Sequence, residues 1–548
     1  MPDRGEELIT SRLEKLSRIK DMGIDPYPIS FEITNTIAEA LNLLDKNKDT
    51  SDKESIKVVL AGRLIRLRVM GKASFLDLRD GTGAIQGYLR KDLLHDNYDL
   101  VRELDLWDHV GISGELIFTQ TGEPSIKAES ITLLSKSLRP PPDKWHGLRD
   151  VELRYRQREI DLSSNDEIRE RFIKRSRIVS SIRSFLDSRN FIEVETPVLV
   201  PVAAGAMAKP FITNHNALDR TLYMRIATEL YLKRCIIGGL DRVYEIGRVF
   251  RNEGIDLSHN PEYTLLESYQ AYTDLQGVME MVESMISTVV DSVNGSTNVK
   301  WNDHVIDFSS PWKKIRLHDA IHEFSGIDID QFTDPISLAG RMREAGITVT
   351  QEVSWGRLVD KVLSDKVEPH LIQPTFLVDY PAEMSPLAKR KVSDGNYVDR
   401  FEAFIGGMEI ANAYSELNDP IDQRVRFQSQ EELRNQHTDE DFDRIDDAFL
   451  DALEYGMPPT GGLGLGIDRI VMLLTDQKNI REVILFPHLS LSQEEIFRFV
   501  DDLIIGNKQL AMTADEFTEY IYKELTDDLR SRITKDEIQN RVKQSNDN

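Results

Sequence analysis

RVYEIGRVFRNEGIDLSHNPEYTLLESY, residues 242–269, holds two runs of alternating residues on either side of a polar loop. RVYEIGRVF and EYTLLESY read as strands, because successive side chains of a strand point to opposite faces. One face of the second strand carries Tyr263, Leu265, Glu267 and Tyr269. A carboxylate buried between tyrosines is costly unless a partner meets its charge. That face is therefore expected to line a polar ligand pocket.

Two further stretches belong with it. FEAFIGGMEIANAYSELND, residues 401–419, spaces Glu402, Glu409 and Glu416 by seven, with Asn412 between them. Helical spacing would put the three on one face, whereas Gly406–Gly407 favours strand, turn and strand. Either way, converging carboxylates repel unless a cation sits among them. Mg2+ takes carboxylate oxygens and commonly brings nucleotide phosphates. GGLGLGIDRIVMLL, residues 461–474, alternates glycine with leucine and then turns apolar, as a strand with bare spots entering a helix would. Asp468 is expected to cap that helix. The stretch lacks GxxxxGK[ST] and is no P-loop. Two arginines, Arg251 and Arg469, three glutamates and a flat aromatic beside glycine-lined strands are what ATP activation of a carboxylic acid needs. Arg251 would neutralise the α-phosphate and Arg469 would hold the γ-phosphate, so catalysis would rest on positioning and electrostatics.

Outward from these stretches the period changes. VVLAGRLIRL, ASFLDLRD, GAIQGYLR, HVGISGELIF and SIKAESITLLS read as five short strands with glycine turns, and DGTG at 80–83 is a hairpin signal. Five strands over 57–138 suit an OB-fold, a small barrel that binds oligonucleotides. Arg63, Arg66, Arg68 and Lys72 form a basic run within it. Before the barrel, residues 1–56 hold a helix with Leu8, Ile9, Leu13, Leu16 and Ile19 at helical spacing, ended by Gly23, then a lysine-rich polar stretch. RPPPDKWHG begins a stiff linker over 139–160. A long α/β region covers 161–490. It opens on a helix with Ile168, Phe172, Val179, Ile182 and Leu186 on one stripe, followed by FIEVETPVLV as a strand broken at Pro197. A helical insertion is expected over about 310–375. Residues 491–548 form an acidic extension, where Ser492–Glu495, Thr513–Glu516 and Thr534–Glu537 predict three capped helices.

A net charge of −25 argues against a general nucleic-acid coat but leaves room for a local RNA-binding patch. With one cysteine, Cys235, paired-cysteine zinc sites are excluded and a reducing cytoplasm fits. The start is charged rather than apolar, so no secretory signal is expected. No apolar run approaches the ~20 residues of a membrane span.

The three stretches resemble the signature motifs of class II aminoacyl-tRNA synthetases. FLDSRNFIEVETPVL is similar to motif 1, FRNEG with HNPEYTLLE to motif 2, and GLGLGIDR to motif 3. VMGKASFLDLRD, ELRYRQREIDLSSND, NHNALDRTLYMRIATELYLKR and DYPAEMSPLAKR extend the resemblance to the bacterial lysyl-tRNA synthetase family, from residue 5 to about 488. The resemblance implies an α+β protein: an OB-fold that binds the anticodon, a catalytic domain built on an antiparallel sheet flanked by helices, and a helical C-terminal extension outside the usual family length. It implies a cytoplasmic homodimer that joins L-lysine to tRNA(Lys) with ATP and Mg2+, without zinc or membrane attachment.

It also implies roles. Arg251 would bridge the lysine carboxylate and the α-phosphate. Glu253 would face the adenine end, and His259 and Asn260 would line the ATP loop. Tyr263 would stack on adenine, with Arg469 on the other ring face, and Glu402 and Glu409 would hold Mg2+ with the phosphates. Gly205, Glu229 and Glu267 would receive the α-ammonium of lysine. Asn412 with Arg251 would hold its carboxylate, and Glu416 with Tyr269 its side-chain ammonium. In the barrel, Phe75 would stack on an anticodon base beside Arg68 and Gln86, with a further reader at Glu129 or Ser130. The chain departs from the family in having Ala204 before Gly205, Lys209 for arginine, Thr228 for proline and Met408 for a basic residue. A paralogue that lysylates elongation factor P, an asparaginyl or aspartyl synthetase, and an inactive paralogue are the rival readings. The barrel, the glutamate-rich pocket and the intact motif arginines respectively count against them.

Overall fold

The computed structural model describes residues 4–48, 55–142, 148, 150–206, 208–349, 354–437, 445–507 and 512–547. The chain divides into two compact units, Met1–Arg149 and Asp150–Asn548.

In the first unit β1 (Lys57–Met70), β2 (Ala73–Arg79), β3 (Ala84–Arg90), β4 (His109–Phe118) and β5 (Pro124–Ser135) close into a barrel in the order β1-β2-β3-β5-β4. Closure leaves no free sheet edge. Inward positions carry Leu60, Leu64, Leu76, Leu78, Ile85, Leu89, Ile112 and Ile126, all buried. DGTG makes the β2–β3 turn, where Asp80 Oδ1 accepts from the amides of Thr82 and Gly83. In β5, Ser113 faces Ser130 while Gly114 faces Ala128, so Glu129 is the extra residue of a bulge.

Two features of residues 1–56 differ from expectation. The first helix, Arg4–Asp21, leaves Leu8 and Leu13 exposed and buries Arg12 instead. The Arg12 guanidinium donates to the carbonyls of Leu106, Ser137 and Arg139, so hydrogen bonds compensate its burial. A second helix, Ile37–Lys48, was unexpected. Its Ile37, Ala40 and Leu44 fit the core of the barrel, and Asp80 accepts from the Ile37 amide. Of the linker expected over 139–160, residues 143–147 and 149 lie outside the described residues. From Val151 the chain is already helical.

In the second unit the strands are β6 (Ile192–Glu193), β7 (Leu199–Val200), β8 (Ile212–His215), β9 (Arg220–Met224), β10 (Arg242–Phe250), β11 (Glu262–Ala271), β12 (Asn298–Trp301), β13 (His304–Asp307), β14 (Lys313–Arg316), β15 (Thr375–Pro381), β16 (Tyr397–Ile405), β17 (Met408–Ser415) and β18 (Thr460–Gly466). Eight of them form one sheet, ordered β14-β15-β16-β17-β18-β11-β10-β6. It is antiparallel except at its two outermost pairs, β14–β15 and β10–β6. FIEVETPVLV supplies only the two-residue strands β6 and β7, not one broken strand.

One face of this sheet is apolar. Leu266, Phe401, Ala403, Ala411, Ala413, Leu463 and Leu465 pack into a core with the helices Asp166–Asp187, Leu275–Asn294 and Ile467–Leu474. On Asp166–Asp187 the buried positions are Ile168, Ile178, Ile182, Phe185 and Leu186; Phe172 and Val179 are half-buried. The opposite face holds the polar residues. Between β14 and β15 the helices Leu317–Ser325, Pro335–Glu344 and Trp355–Val362 share a core of their own.

Among its described residues the C-terminal extension contains four helices where three were expected: Gln493–Gly506, Ala514–Glu524, Asp527–Arg532 and Lys535–Asp547. All three capping boxes form. The additional helix is capped by Thr526, with Leu529 in the place where the box has glutamate, so the pattern hides it. Ile496, Val500, Phe517, Ile521, Ile538 and Val542 make a separate small core there.

Candidate active site

Strands β11, β16, β17 and β18 turn their polar face toward a cavity of about 570 Å3. Tyr263, Leu265, Glu267 and Tyr269 all line it, as alternation along β11 dictates. The glycines of β18 make the space. Gly464 sits opposite Glu267 on one side and Asn412 on the other, and Gly462 opposite Tyr269 and Tyr414. A Cβ on Gly462 would overlap Glu416 Oε1 and lie 2.6 Å from Tyr269 Cε1.

One end of the cavity is cationic. Arg251 follows β10, and its guanidinium lies 5.4 Å from the Tyr263 ring centroid. Its Nε is buried without a hydrogen-bond partner among the described residues. Burial opposes its charge, but Tyr263, Glu253, Glu409 and Glu267 hold the guanidinium above its ordinary range. Arg469 projects from Ile467–Leu474 and donates to the Glu409 carbonyl at 2.6 Å, with Glu409 Oε2 3.4 Å away. His259 Nε2 stands 3.5 Å from Arg469, and His259 Nδ1 lies 2.7 Å from Asp256. Asn260 is buried and donates to the Glu262 carbonyl, leaving its Oδ1 without a partner among the described residues. Glu253 is exposed on the same loop and lines the cavity.

Asp468 does not cap the helix as expected. It is buried, accepts from Arg175 at 2.6 Å and takes the Thr264 amide at 2.7 Å. It thereby ties β11 to the arginine-bearing helix beside Tyr263 and Arg469.

In the middle, Glu402 accepts from Tyr380 Oη at 2.6 Å and Arg400 at 2.5 Å. Burial pushes its carboxyl up to about 8; Arg400 opposes this and Glu409 adds to it. Asn412 accepts from Arg400 Nε at 3.1 Å, which leaves its amide NH2 only a 3.5 Å contact with Glu402.

The other end is anionic. Glu229, Glu267 and Glu416 all line the cavity and are all buried. Glu229 takes Lys233 Nζ and Tyr414 Oη, each at 2.6 Å. Lys233 also pairs with Glu416 Oε2. Glu267 takes the Thr228 amide at 3.3 Å, a bond that proline in that place could not donate. Its Oε2 and Glu416 Oε1 have no hydrogen-bond partner among the described residues. Burial, then the charge of Glu229, lifts Glu267 to about 7. Gly205, at φ +94°, closes this end against Ala227 and Glu229. A buried unpaired carboxylate oxygen is costly. Unpaired oxygens here and an unpaired Arg251 Nε across the cavity mark a site for a ligand with cationic and anionic ends.

Comparison with known proteins agrees with this geometry. Residues 150–490 match the family model for class II tRNA synthetases (D, K and N), and residues 58–134 match an OB-fold nucleic-acid-binding domain. A lysine–tRNA ligase of Dehalococcoides mccartyi is 53% identical over 492 residues, covering 89% of this chain and 98% of the relative. Those of Carboxydothermus hydrogenoformans and Enterococcus faecalis are 51% and 48% identical over 88% and 89% of the chain, and 97% and 98% of the relatives. The chain belongs to the class II lysine–tRNA ligase family.

In and behind the cavity wall of this synthetase stand residues that the motifs did not bring forward: Arg400 and Asp360 line the cavity, while Tyr380 and Lys233 contact its glutamates. Arg400 joins Glu402 and Asn412 and donates to the Met384 carbonyl and Ser385 Oγ. Tyr380 precedes it in β15, and Asp360 reaches the cavity from the inserted helices. Lys233 is one helical turn beyond Glu229, a spacing that puts both on one face. Each was legible only as a polar or charged residue; the fold brings them to the motif glutamates.

In the barrel unit of the synthetase, Phe75 stacks on Tyr88 with centroids 5.0 Å apart, and Arg68 lies 6.0 Å from the Phe75 centroid. Gln86 accepts from Ser125 Oγ one strand across. Phe75, Arg68 and Gln86 thus share one outward surface of β1, β2 and β3. Arg66 on that surface is paired with Asp77 at 3.4 Å. Glu129, on the bulge, is paired with Lys57. Among the described residues, no helix is long and apolar enough to cross a membrane.

Proposed function

We propose that this synthetase activates L-lysine with ATP and transfers it to tRNA(Lys) in the cytoplasm. The observation that carries this is the unpaired Glu416 Oε1 at the closed end of the cavity, opposite the Arg251 end. A cationic side chain satisfies that oxygen; an apolar one leaves it buried and unpaired. Arginine's broad planar fork differs from a compact ammonium.

The residues then divide the work. Gly205, Glu229 and Glu267 receive the α-ammonium, Asn412 and Arg251 the carboxylate, and Glu416 with Tyr269 the side-chain ammonium. Tyr263 stacks on adenine opposite Arg469, while Glu253, His259 and Asn260 hold the ATP loop. A carboxylate oxygen of lysine attacks the α-phosphorus, the bond to the β-bridging oxygen breaks, and pyrophosphate leaves. Arg251 stabilises the negative charge that develops on the α-phosphoryl oxygens, as a preorganised donor should. The 3′-hydroxyl of the terminal adenosine then attacks the lysyl carbonyl and AMP leaves.

Glu402 and Glu409 fit a hard divalent cation. Burial, and after it the charge of Glu409, raises Glu402, and each carboxylate keeps lone pairs beyond its present partners. Mg2+ held there would supply positive charge near the departing pyrophosphate. A symmetric homodimer accords with the exposed apolar residues of the motif 1 stretch, Ile192, Val198 and Leu199.

Amino-acid-dependent exchange of pyrophosphate into ATP tests the reading. Lysine alone among the common amino acids should drive fast exchange, and purified tRNA(Lys) should be charged. Exchange with asparagine or aspartate, or lysylation of elongation factor P without tRNA charging, would overturn it. Two variants separate the units. Gly462→Ala should raise the KM for lysine by about tenfold or more, since overpacking costs ~1–3 kcal/mol, with little change for ATP. Phe75→Ala should weaken tRNA(Lys) binding by ~1–3 kcal/mol, the worth of one stacked base, and leave pyrophosphate exchange unchanged.

A further inference from the structure

Lys233 has no part in the roles set out above, yet its ammonium is fully buried beside the residues that receive lysine. It contacts Glu229 Oε1 at 2.6 Å and Glu416 Oε2, and lies 5.6 Å and 5.8 Å from the ring centroids of Tyr414 and Phe449. Its partners' charges outweigh burial and hold the ammonium protonated, above its ordinary range. A buried ion pair adds little net stability compared with apolar packing of the same volume. Stability alone therefore gives weak reason for a lysine here.

Charge gives a better one. The groups facing Glu416 are Lys233 and Glu229 on the helix Glu229–Ile237, Glu267 and Tyr269 on β11, and Tyr414 on β17. All except Lys233 are acidic or neutral. Burial drives the Glu416 carboxyl well above its usual range even beside Lys233; Lys233 is the group that opposes this, while Glu229 and Glu267 push it further. A protonated Glu416 would have to lose its proton before it could pair with an arriving ammonium.

We propose that Lys233 is a positioning residue for lysine recognition: its ammonium contacts Oε2 of Glu416, favouring the charged carboxylate before lysine arrives and leaving Oε1 for the substrate's side-chain ammonium. The inference rests on the assignment of this end of the cavity to lysine. Lys233 touches neither ATP nor the reacting atoms; it acts through Glu416.

The net proton change on lysine binding, measured by titration calorimetry at pH 8 in two buffers of different ionisation heat, reads this directly. Glu267, pushed up to about 7, is largely ionised at that pH, and Glu402, pushed up to about 8, titrates alike in wild type and variant and cancels in their difference. Wild type should release clearly fewer protons on binding lysine than Lys233→Met. Lys233→Met should release about one proton, and its KM for lysine should climb up to about tenfold for each unit fall in pH. Its KM for ATP should stay at the wild-type value, and Lys233→Arg should restore the wild-type proton balance. The same proton balance and pH profile in Lys233→Met as in wild type would overturn the proposal. Should Lys233→Met not fold, wild type decides alone: release of a whole proton at pH 8 would mean that Glu416 is protonated despite Lys233. A wild type that neither binds lysine nor supports lysine-dependent exchange contradicts the proposed function instead, a separate outcome.

Discussion

Glu416→Gln should lower kcat/KM for lysine by about two to three and a half orders of magnitude while leaving the KM for ATP within about twofold. The amide keeps the size of the side chain, so the cavity retains its shape beside Gly462. It loses the charge. Lys233 is then left with Glu229 as its anionic partner, and the substrate ammonium with a dipole in place of a carboxylate. Removing one member of a buried charge pair costs ~3–5 kcal/mol, because the remaining charge is stranded. At ~1.4 kcal/mol per factor of ten, that is the stated loss. On the proposed assignment, ATP binds at the Arg251 and Arg469 end, away from the changed side chain. Initial-rate pyrophosphate exchange at varied lysine and varied ATP checks this. Equal losses in both constants would remove Glu416 from its role.

Arg251→Gln should act on rate more than on binding. Its guanidinium is held in place before substrate arrives by the Tyr263 ring at 5.4 Å and by the surrounding carboxylates, with Nε unpaired. A donor preorganised toward charge that develops in the transition state typically contributes 10²–10³ in rate, or about 2.7–4 kcal/mol. We expect kcat for adenylate formation to fall by about that factor, with KM for lysine changed far less, because Glu229, Glu267 and Glu416 still hold the two ammonium groups. Arg251→Lys should rescue little, since a point charge cannot span carboxylate and phosphate as a planar fork does. Single-turnover adenylate formation, followed by rapid quench, separates the chemical step from binding. A kcat unchanged in Arg251→Gln would contradict the assignment.

The two variants show why so much of this site could be read before any coordinates. Period-two alternation along 263–269 placed Glu267 between two tyrosines on one face, and the structure puts all of them on the cavity. Gly406 and Gly407 take the positive φ angles of a tight turn, which decides in favour of strand, turn and strand for 401–419. The bare positions of β18 do more than admit a ligand. Gly462 is the space in which Glu416 lies, and Gly461 is packed by Val278 and Thr273 of the preceding loop and helix.

What stayed hidden depends on contacts between residues distant in sequence. Arg400 is two residues before Glu402, but only the strand pairing of β16 with β17 brings it to Asn412 as well. Asp468 reads as a helix cap from sequence but is the second residue of the helix, after the cap Gly466, and is taken by Arg175, almost three hundred residues earlier in the chain. Glu129 or Ser130 could not be resolved in the barrel because a bulge at Glu129 shifts the register by one residue. A one-residue shift exchanges inward and outward faces, and local pattern cannot show it. The helix at Ile37–Lys48 was legible in the spacing of Ile37, Ala40 and Leu44; only its last turn, from Asp45, enters the lysine-rich polar stretch that runs to Lys57.

Lysine specificity and ATP activation meet in a single requirement: the two ends of one amino acid must reach opposite ends of one cavity. A crystal structure with lysine and a non-hydrolysable ATP analogue tests that most directly. The account predicts the side-chain ammonium against Glu416 Oε1 and Tyr269, and the carboxylate between Arg251 and the α-phosphate. Lysine bound with its side chain directed away from Glu416, or outside the cavity lined by β11, β17 and β18, would contradict it.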